Sequence, residues 1–412
     1  MRPLDPGSSK VLLLTNAIAP DKPGGLYRYV RELSRHLAAA GVEVVVSTRA
    51  ANSPNKRAVS TEDGVLVYRH WTPKKSNPLF PLLVVLASIL SALRLIRKYP
   101  HHIVHAHFPV QGAAAALSKA PFVYTFHAPV YRELLSERQN SYLLPGFLQS
   151  AAVEALRRVE RQVLLRASII VVLSEFMKKE VLLLDPLAED RIEIVSGGVD
   201  TEFFFPAVEQ RSPWEGENSG ILIVVARRLV SRTGVLEFLE AFKRVKQSQE
   251  LEARLAILGD GLLREKISSR IRELGLDDSA RLYGQVSDLE LRRLYRTADI
   301  VVVPTIELEG FGLSSAEAFS CGAVVVGTPS SANLEVIGRV SSKLLAEEAS
   351  SNSLAAVICN VLTDIRLKEA VRRDGPSTVF REWSWARVSE KYAIVYDRVG
   401  VRGDLEGRRP AR

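Results

Sequence analysis

Short runs of β-branched and aliphatic residues, each followed by an amphipathic stretch, recur from Val11 to about Val399, and this alternation limits the fold more than any other feature of the chain. A short apolar run without polar alternation suits a strand buried on both faces, and parallel strands joined by right-handed helical crossovers are buried in that way. In the first half the runs are Val11–Thr15, Val42–Ser47, Val65–Arg69, Ile103–His105, Phe122–Phe126 and Ile169–Leu173, with a helix expected over Leu26–Ala40. In the second they are Ile221–Ala226, Leu255–Leu258, Ala280–Tyr283, Ile300–Val303 and Ala323–Val326. Between them, Phe205–Gly220 turns to Pro, Glu, Ser and Gly. At 412 residues the chain exceeds one ordinary core. Two α/β domains are therefore expected, 1–205 and 206–384, followed by a helix over 385–400 and a charged tail, 401–412, that lacks apolar periodicity and is expected to be disordered.

Composition narrows the function. The only cysteines are Cys321 and Cys359, with no Cys-x-x-Cys pair or Cys/His cluster, so neither a disulfide framework nor a structural zinc site is expected. No Asp-x-Asp motif is present, which removes the usual carboxylate site for a metal-bound diphosphate. Residues 1–206 hold 25 Lys and Arg against 18 Asp and Glu, so the basic surplus lies in the first half. It suits an anionic acceptor, a phosphorylated lipid, a membrane surface or simply a solvated face. Nucleic acid is not expected, because no basic and aromatic interleaving accompanies the charge. The opening MRPLDPGSSK has no apolar core, so no signal peptide is expected and a cytoplasmic location is. Leu79–Leu93 is almost wholly apolar and is followed by Arg94, Arg97 and Lys98. A bilayer core needs about 20 apolar residues, so the segment is either a helix buried under a sheet or one lying in a membrane interface. A helix leading into a strand is what a crossover requires, which favours burial. The interfacial reading would place the chain peripherally at the inner face of an anionic membrane, through residues 79–98.

Four segments sit where loops should follow strands. Gly24-Gly25 comes after the first strand and before an amphipathic helix, so backbone amides there can approach an oxyanion, although Pro-Gly-Gly is also ordinary turn chemistry. Glu309-Gly310-Phe311-Gly312-Leu313-Ser314-Ser315-Ala316-Glu317 follows the strand Ile300–Val303. The amides of Gly312 to Ser314 suit phosphate oxygens, and Glu309 and Glu317 can accept hydrogen bonds from sugar or ribose hydroxyls; a solvated Glu beside a capped helix is the plainer reading. Arg227-Arg228, with Arg232, Thr233 and Gly234 close behind, ends a strand where cations can neutralise a leaving diphosphate or merely form a basic loop. His127 ends the strand Phe122–Phe126, as a ligand-facing or a structural imidazole.

In this order the segments resemble the retaining glycosyltransferases of family 4. The resemblance runs over nearly the whole chain and takes in the His102-Ile103-Val104-His105-Ala106-His107 strand end, Ser196-Gly197-Gly198-Val199-Asp200, Leu258-Gly259-Asp260-Gly261 and the E-x7-E pair Glu309/Glu317. It implies the GT-B fold, two Rossmann-like doubly wound domains facing each other across a cleft, the first on the acceptor side and the second binding a nucleotide sugar. It implies that Gly25 approaches the donor phosphate, His127 lies near the donor sugar, Arg228 holds the diphosphate, Glu309 the sugar hydroxyls and Glu317 the ribose. The family pairs its Arg with a Lys five residues on; here that place is Thr233, and Arg232 beside it is the candidate substitute. Its Pro-Asn-Gly connector reads Ser196-Gly197-Gly198, and its paired glycines read Ser331-Ala332 before Glu335. The final helix, entered through Trp383-Ser384-Trp385, is expected to return to the first domain.

The expected activity is metal-independent transfer from a uridine- or guanosine-diphosphate sugar to a lipid, glycan or small-molecule hydroxyl, with retention and with no cofactor beyond the donor. The alternatives are a non-catalytic GT-B binding module, suggested by the missing Lys, and a GT-B sugar-nucleotide epimerase.

Overall fold

The computed structural model describes residues 10–21, 24–50, 58–74, 76–77, 79–133, 146–212, 214, 220–249 and 252–407. The chain divides into two compact units. One comprises Met1–Arg132, Leu144–Gly198 and Trp385–Arg412, the other Glu133–Leu143 and Val199–Ser384.

In the first unit the strands are β1 (Lys10–Leu14), β2 (Glu43–Arg49), β3 (Ala58–Glu62), β4 (Val65–His70), β5 (Ile103–Ala106), β6 (Phe122–Phe126), β7 (Ile169–Val172) and β8 (Ile192–Ile194). They form one sheet in the order β3-β4-β2-β1-β5-β6-β7-β8, parallel except that β3 runs against β4. The helices are α1 (Gly25–Ala39), α2 (Phe80–Lys98), α3 (Pro109–Ser118), α4 (Gly146–Arg166) and α5 (Glu175–Leu184). β6 and β7 are buried at every residue, as parallel strands covered on both faces must be. β3 and β8 were not expected: β3 lies at the sheet edge, mostly exposed and polar, and β8 is a three-residue edge strand, so neither carries a buried apolar run.

The second unit has β9 (Ile221–Ala226), β10 (Ala253–Leu258), β11 (Ala280–Gly284), β12 (Ile300–Val303) and β13 (Val325–Gly327), all parallel, in the order β11-β10-β9-β12-β13. Its helices are α6 (Val235–Gln249), α7 (Arg264–Glu273), α8 (Asp288–Thr297), α9 (Leu313–Ser320), α10 (Asn333–Val340), α11 (Ser351–Thr363) and α12 (Ile365–Trp383); the last helix, α13 (Trp385–Gly407), belongs to the first unit. The strand order reverses between β1 and β5 in one sheet and between β9 and β12 in the other, and at such a switch point the loops leaving the two strands part to admit a ligand.

Two boundaries differ from expectation. The units change over at Gly198/Val199 rather than at 205/206, because Val199–Phe205 packs on the second unit: the Val199 amide donates to the Trp383 carbonyl at 2.8 Å, Ser320 donates to the Phe204 carbonyl at 2.5 Å, and Arg292 and Arg296 lie over the Phe203 and Phe205 rings. The expected disordered tail is helical as far as Gly407, since adding a residue to an existing helix requires only one more backbone hydrogen bond and no apolar face; residues 408–412 lie outside the described residues.

The apolar segment 79–93 is neither fully buried nor fully exposed. It forms most of α2, whose inner side sets Ala92, Leu95 and Ile96 in the core while its outer side stays in solvent. No described helix is long and apolar enough to cross a membrane.

Candidate functional site

In the second unit the site residues come from the two strands at the switch point. β9 ends at Ala226, and the Arg227 side chain turns across to the loop that follows β12. Its guanidinium donates to Glu309 Oε2, to Thr305 Oγ1 at 3.1 Å and to Ser314 Oγ at 3.3 Å. Glu309 Oε1 accepts the Gly312 amide at 3.0 Å. Burial pushes the Glu309 carboxyl upward, but the charge and hydrogen bonds of Arg227, the charge of Arg232 and the Gly312 amide outweigh it, so the group titrates below the usual carboxylate range. Glu309 is therefore ionised and already holds a cation.

Gly312 caps α9 at φ +87°, which a side chain would resist, and it offers no side-chain acceptor to the first amides of the helix. Beside it, Ser315 Oγ and Asn333 Oδ1 are buried without a hydrogen-bond partner, as polar groups are where a ligand or solvent completes them. Leu313 and Ser314 are partly exposed at this helix end. Phe311, by contrast, is packing: it is 5% exposed and meets Trp383 edge-on at 5.6 Å. Gly310 links it to Glu309, and Glu317 lies inside α9 and is buried.

The other two candidates after β9 are committed elsewhere. Arg232 donates to the Leu308 carbonyl at 2.9 Å and to Glu133 at 2.6 Å, while its own carbonyl accepts the Ile306 amide. Leu308 sits at φ +58°, an unfavourable conformation that costs ~1–3 kcal/mol and persists only where neighbours hold it. Arg232 is one of those neighbours, so it braces the approach to Glu309, on which its charge also acts. The Thr233 hydroxyl is buried and shared between the Val230 and Arg228 carbonyls, so it closes a turn and offers nothing outward. Arg228 is exposed. The sequence offers Arg227 and Arg228 together and the family resemblance assigns the diphosphate to Arg228; in the structure it is Arg227 that reaches Glu309. Neighbouring residues leaving a strand point to opposite sides, and only the structure fixes which of two adjacent arginines faces the switch point.

Geometry explains one departure from the family pattern and one position that keeps it. Ser331 keeps the left-handed backbone, φ +54°, that a glycine would adopt there. Gly198 lies flat against Trp385, where an added Cβ would come within 2.4 Å of the indole, so that connector glycine serves packing.

In the first unit, Gly24 and Gly25 open α1. An added Cβ on Gly25 meets nothing within 4 Å, so its backbone is open to approach. His127 follows β6, with Nε2 3.1 Å from Nδ1 of His107 after β5. Beneath them runs a network absent from the sequence-based expectations. Tyr29 and Tyr392 join hydroxyls at 2.7 Å, and Tyr392 reaches Thr125 at 3.0 Å. Thr125 meets His105 at 2.7 Å, and His105 meets Tyr396 at 2.9 Å. Burial pushes His127 down to about 3 and holds His105 and His107 well below the usual imidazole value, with the neighbouring imidazoles acting in the same direction on the last two. All three are neutral at pH 7. Tyr392 and Tyr396, one turn apart on α13, were the available signal, but nothing local shows that they meet residues more than 260 positions earlier. Among the described residues no group of three or more His, Cys, Asp or Glu side chains is placed to hold a metal ion.

Residues 23–203 match the Glycosyltransferase Family 4 domain, and residues 209–377 match Glycosyl transferases group 1. The chain belongs to the group 1 glycosyltransferases. This glycosyltransferase is 26% identical over 402 residues to the D-inositol 3-phosphate glycosyltransferase of Jonesia denitrificans, covering 92% of each chain. Its fold is GT-B, shared with sucrose-phosphate synthase from Thermosynechococcus elongatus (TM-score 0.76, 19% identity, 96% of this chain and 100% of that one). HepE of Anabaena, solved in complex with UDP-glucose, gives a TM-score of 0.70 at 16% identity, over 94% of this glycosyltransferase and 99% of that chain.

Proposed function

We propose that this glycosyltransferase moves a sugar from a uridine- or guanosine-diphosphate donor to a hydroxyl acceptor, with retention of configuration and without a metal ion. The observation that carries the reading is the Arg227 guanidinium held on Glu309 beside the uncapped amino end of α9, at the switch point between β9 and β12. A diphosphate bound there offers Arg227 a second anion, and the amides of Leu313 and Ser314 add dipoles of the right sign. Glu309, relieved of part of its hold on Arg227, accepts a hydrogen bond from a sugar hydroxyl; Glu317 takes the ribose, and Arg228 adds charge from the exposed side. In the reaction the bond from C1 to the phosphate oxygen breaks and a bond from C1 to the acceptor oxygen forms on the same face. The acceptor proton passes to the departing phosphate. Charge grows on that phosphate in the transition state, so fixed cations and amides aimed at it contribute more there than in the ground state. His127 and Gly25 carry the sugar-facing and phosphate-facing roles that the family resemblance implies.

The named activity of the Jonesia relative makes a phosphorylated polyol the first soluble acceptor to try, and a lipid-linked hydroxyl is the other class. A cytoplasmic location suits a cytosolic nucleotide-sugar donor. The test is a thermal-shift screen of the purified chain against nucleotides and nucleotide sugars with chelator present, because a ligand that binds only the native state raises Tm. One diphosphate nucleotide and its sugar should stabilise the protein. No shift from any nucleotide would remove the donor reading, and a shift that vanishes with chelator would remove metal independence.

A further inference from the structure

The outer face of α2 is apolar although it lies in solvent. Leu82, Leu86 and Leu90 follow one another at four-residue intervals and are 57%, 46% and 65% exposed, and Leu79 beside them is 57% exposed. The same row continues into Arg94, and Arg97 lies next to it, both exposed. The opposite face is buried through Ala92, Leu95 and Ile96, so the helix cannot turn its leucines inward without giving up its core contacts. Contiguous apolar surface of this kind marks a contact site. Residues 64–132 contain eight Lys or Arg and no Asp or Glu.

We infer that the outer face of α2 is a docking surface for an anionic lipid bilayer, the leucine row entering the acyl boundary and Arg94 and Arg97 meeting lipid phosphates. Apolar side chains continued along the same face by cations fit that boundary. The arrangement suits a second copy of the chain poorly. Two α2 helices paired antiparallel would set each arginine end on the other's leucines, and paired parallel would set arginines on arginines. In both cases this acid-free region supplies no counter-charge. The helix lies on the surface and does not cross it. This inference stands apart from the donor chemistry.

The test is co-sedimentation of the full chain with vesicles of phosphatidylcholine alone and of phosphatidylcholine with about 30% phosphatidylglycerol, a strongly anionic surface. Binding should be roughly ten-fold or more tighter on the anionic vesicles and should weaken with salt, as exposed cations dictate. Leu86→Glu/Leu90→Glu should abolish binding to both vesicles, and Arg94→Gln/Arg97→Gln should remove the anionic preference. Both variants should melt as the wild type does, since all four side chains are exposed. A wild-type chain that stays in the supernatant with anionic vesicles at low salt overturns the inference, as does a leucine variant that still sediments. Sedimentation velocity showing a wild-type pair that Leu86→Glu/Leu90→Glu splits, with no vesicle binding, would instead assign the face to a second copy.

Discussion

The two units both bury polar side chains at the carboxyl ends of their central strands, one as a charged pair and the other as a neutral network. In the second unit Arg227 and Glu309 meet beside a helix end whose first amides have no side-chain cap, and buried oxygens of Ser315 and Asn333 go unpaired. In the first unit three neutral imidazoles and three tyrosines interlock, and their hydrogen bonds fasten α13 to β5, β6 and α1. The charged pair is incomplete on the ligand side and so suits exchange with an anion. In the network the tyrosines, Thr125 and His105 pair with one another and suit holding a helix in place, while His107 Nε2 is buried without a partner. On the proposed reading the charged pair serves binding, whereas the network packs β5, β6, α1 and α13 together, and only His107 and His127 stand in the loops that follow the strands.

The largest expected effect comes from removing the cation. Arg227→Ala leaves the part-buried Glu309 with only the Gly312 amide and the charge of Arg232, which should cost up to ~3–5 kcal/mol in denaturant unfolding. It should also lower kcat by roughly 10²–10³, the range for losing one donor aimed at developing charge. Arg228→Ala should reduce transfer with no measurable loss of stability, because that side chain is exposed. Glu309→Gln keeps the hydrogen-bonding shape but drops the charge, so it separates transfer from folding better than Glu309→Ala does. If Arg227→Ala turned over normally while Arg228→Ala failed, the binding role would pass to the exposed arginine and the contrast between the units would lose its first half.

Acid should part the two units. Folding keeps the imidazoles of His105, His107 and His127 neutral, whereas the unfolded chain protonates them below about 6.5. Their contribution is therefore complete above that pH and declines as pH falls towards the folded values, about 3 for His127. Each imidazole can cost up to about 1.4 kcal/mol per pH unit inside that window. Glu309 behaves in the same sense over a lower window: its pKa is lowered on folding, so its contribution is complete above the normal carboxylate pKa of about 4.3 and is lost only as pH falls through the lower folded value. Between pH 6.5 and 4.5, roughly, hydrogen-exchange protection should fall in β5, β6 and α13 and hold in β9 and β12. Equal loss in both units would show that the network is not the acid-sensitive element.

The sequence revealed the parts of this contrast that depend on local pattern. β6, β9 and β12 were located at their observed bounds because a strand buried on both faces is an unbroken apolar run. Gly312 and the Glu309 loop were recognisable because helix-end chemistry is written in a few adjacent residues. Three features were hidden, each for its own reason. β3 pairs at an edge with no buried face, Arg227 differs from Arg228 only in the side of the strand from which it leaves, and Tyr392 reaches Thr125 across 267 positions. What Arg232 holds was hidden for a related reason: charge next to a missing Lys reads as a replacement, and nothing local shows that its hydrogen bonds go to the Leu308 carbonyl and Glu133.

A smaller effect probes the neutral network alone. Tyr392→Phe removes the hydroxyl that joins Tyr29 to Thr125 and should cost about 1–3 kcal/mol, the range for leaving buried polar partners unsatisfied. Donor-nucleotide binding should not change, because the second unit's charged pair is untouched. A thermal-shift titration that weakened together with stability would mean that the packing network also governs the binding site.

The smallest effect on stability is expected at Gly25, where the contrast is sharpest because this glycine lies in the packing unit yet carries a ligand role by family resemblance. Its φ lies outside the left-handed region, an added Cβ meets no atom within 4 Å, and it stands at the start of α1. Gly25→Ala should therefore leave Tm unchanged or stabilise the fold by up to ~0.5–1 kcal/mol, the usual gain of Ala over Gly in a helix. Binding of a diphosphate nucleotide should nonetheless weaken, because the methyl group would stand where phosphate oxygens approach the backbone, while binding of the bare nucleoside stays as it was. Unchanged diphosphate binding in this variant would confine the phosphate grip to Arg227 and the amino end of α9, and would leave the first unit no share in it.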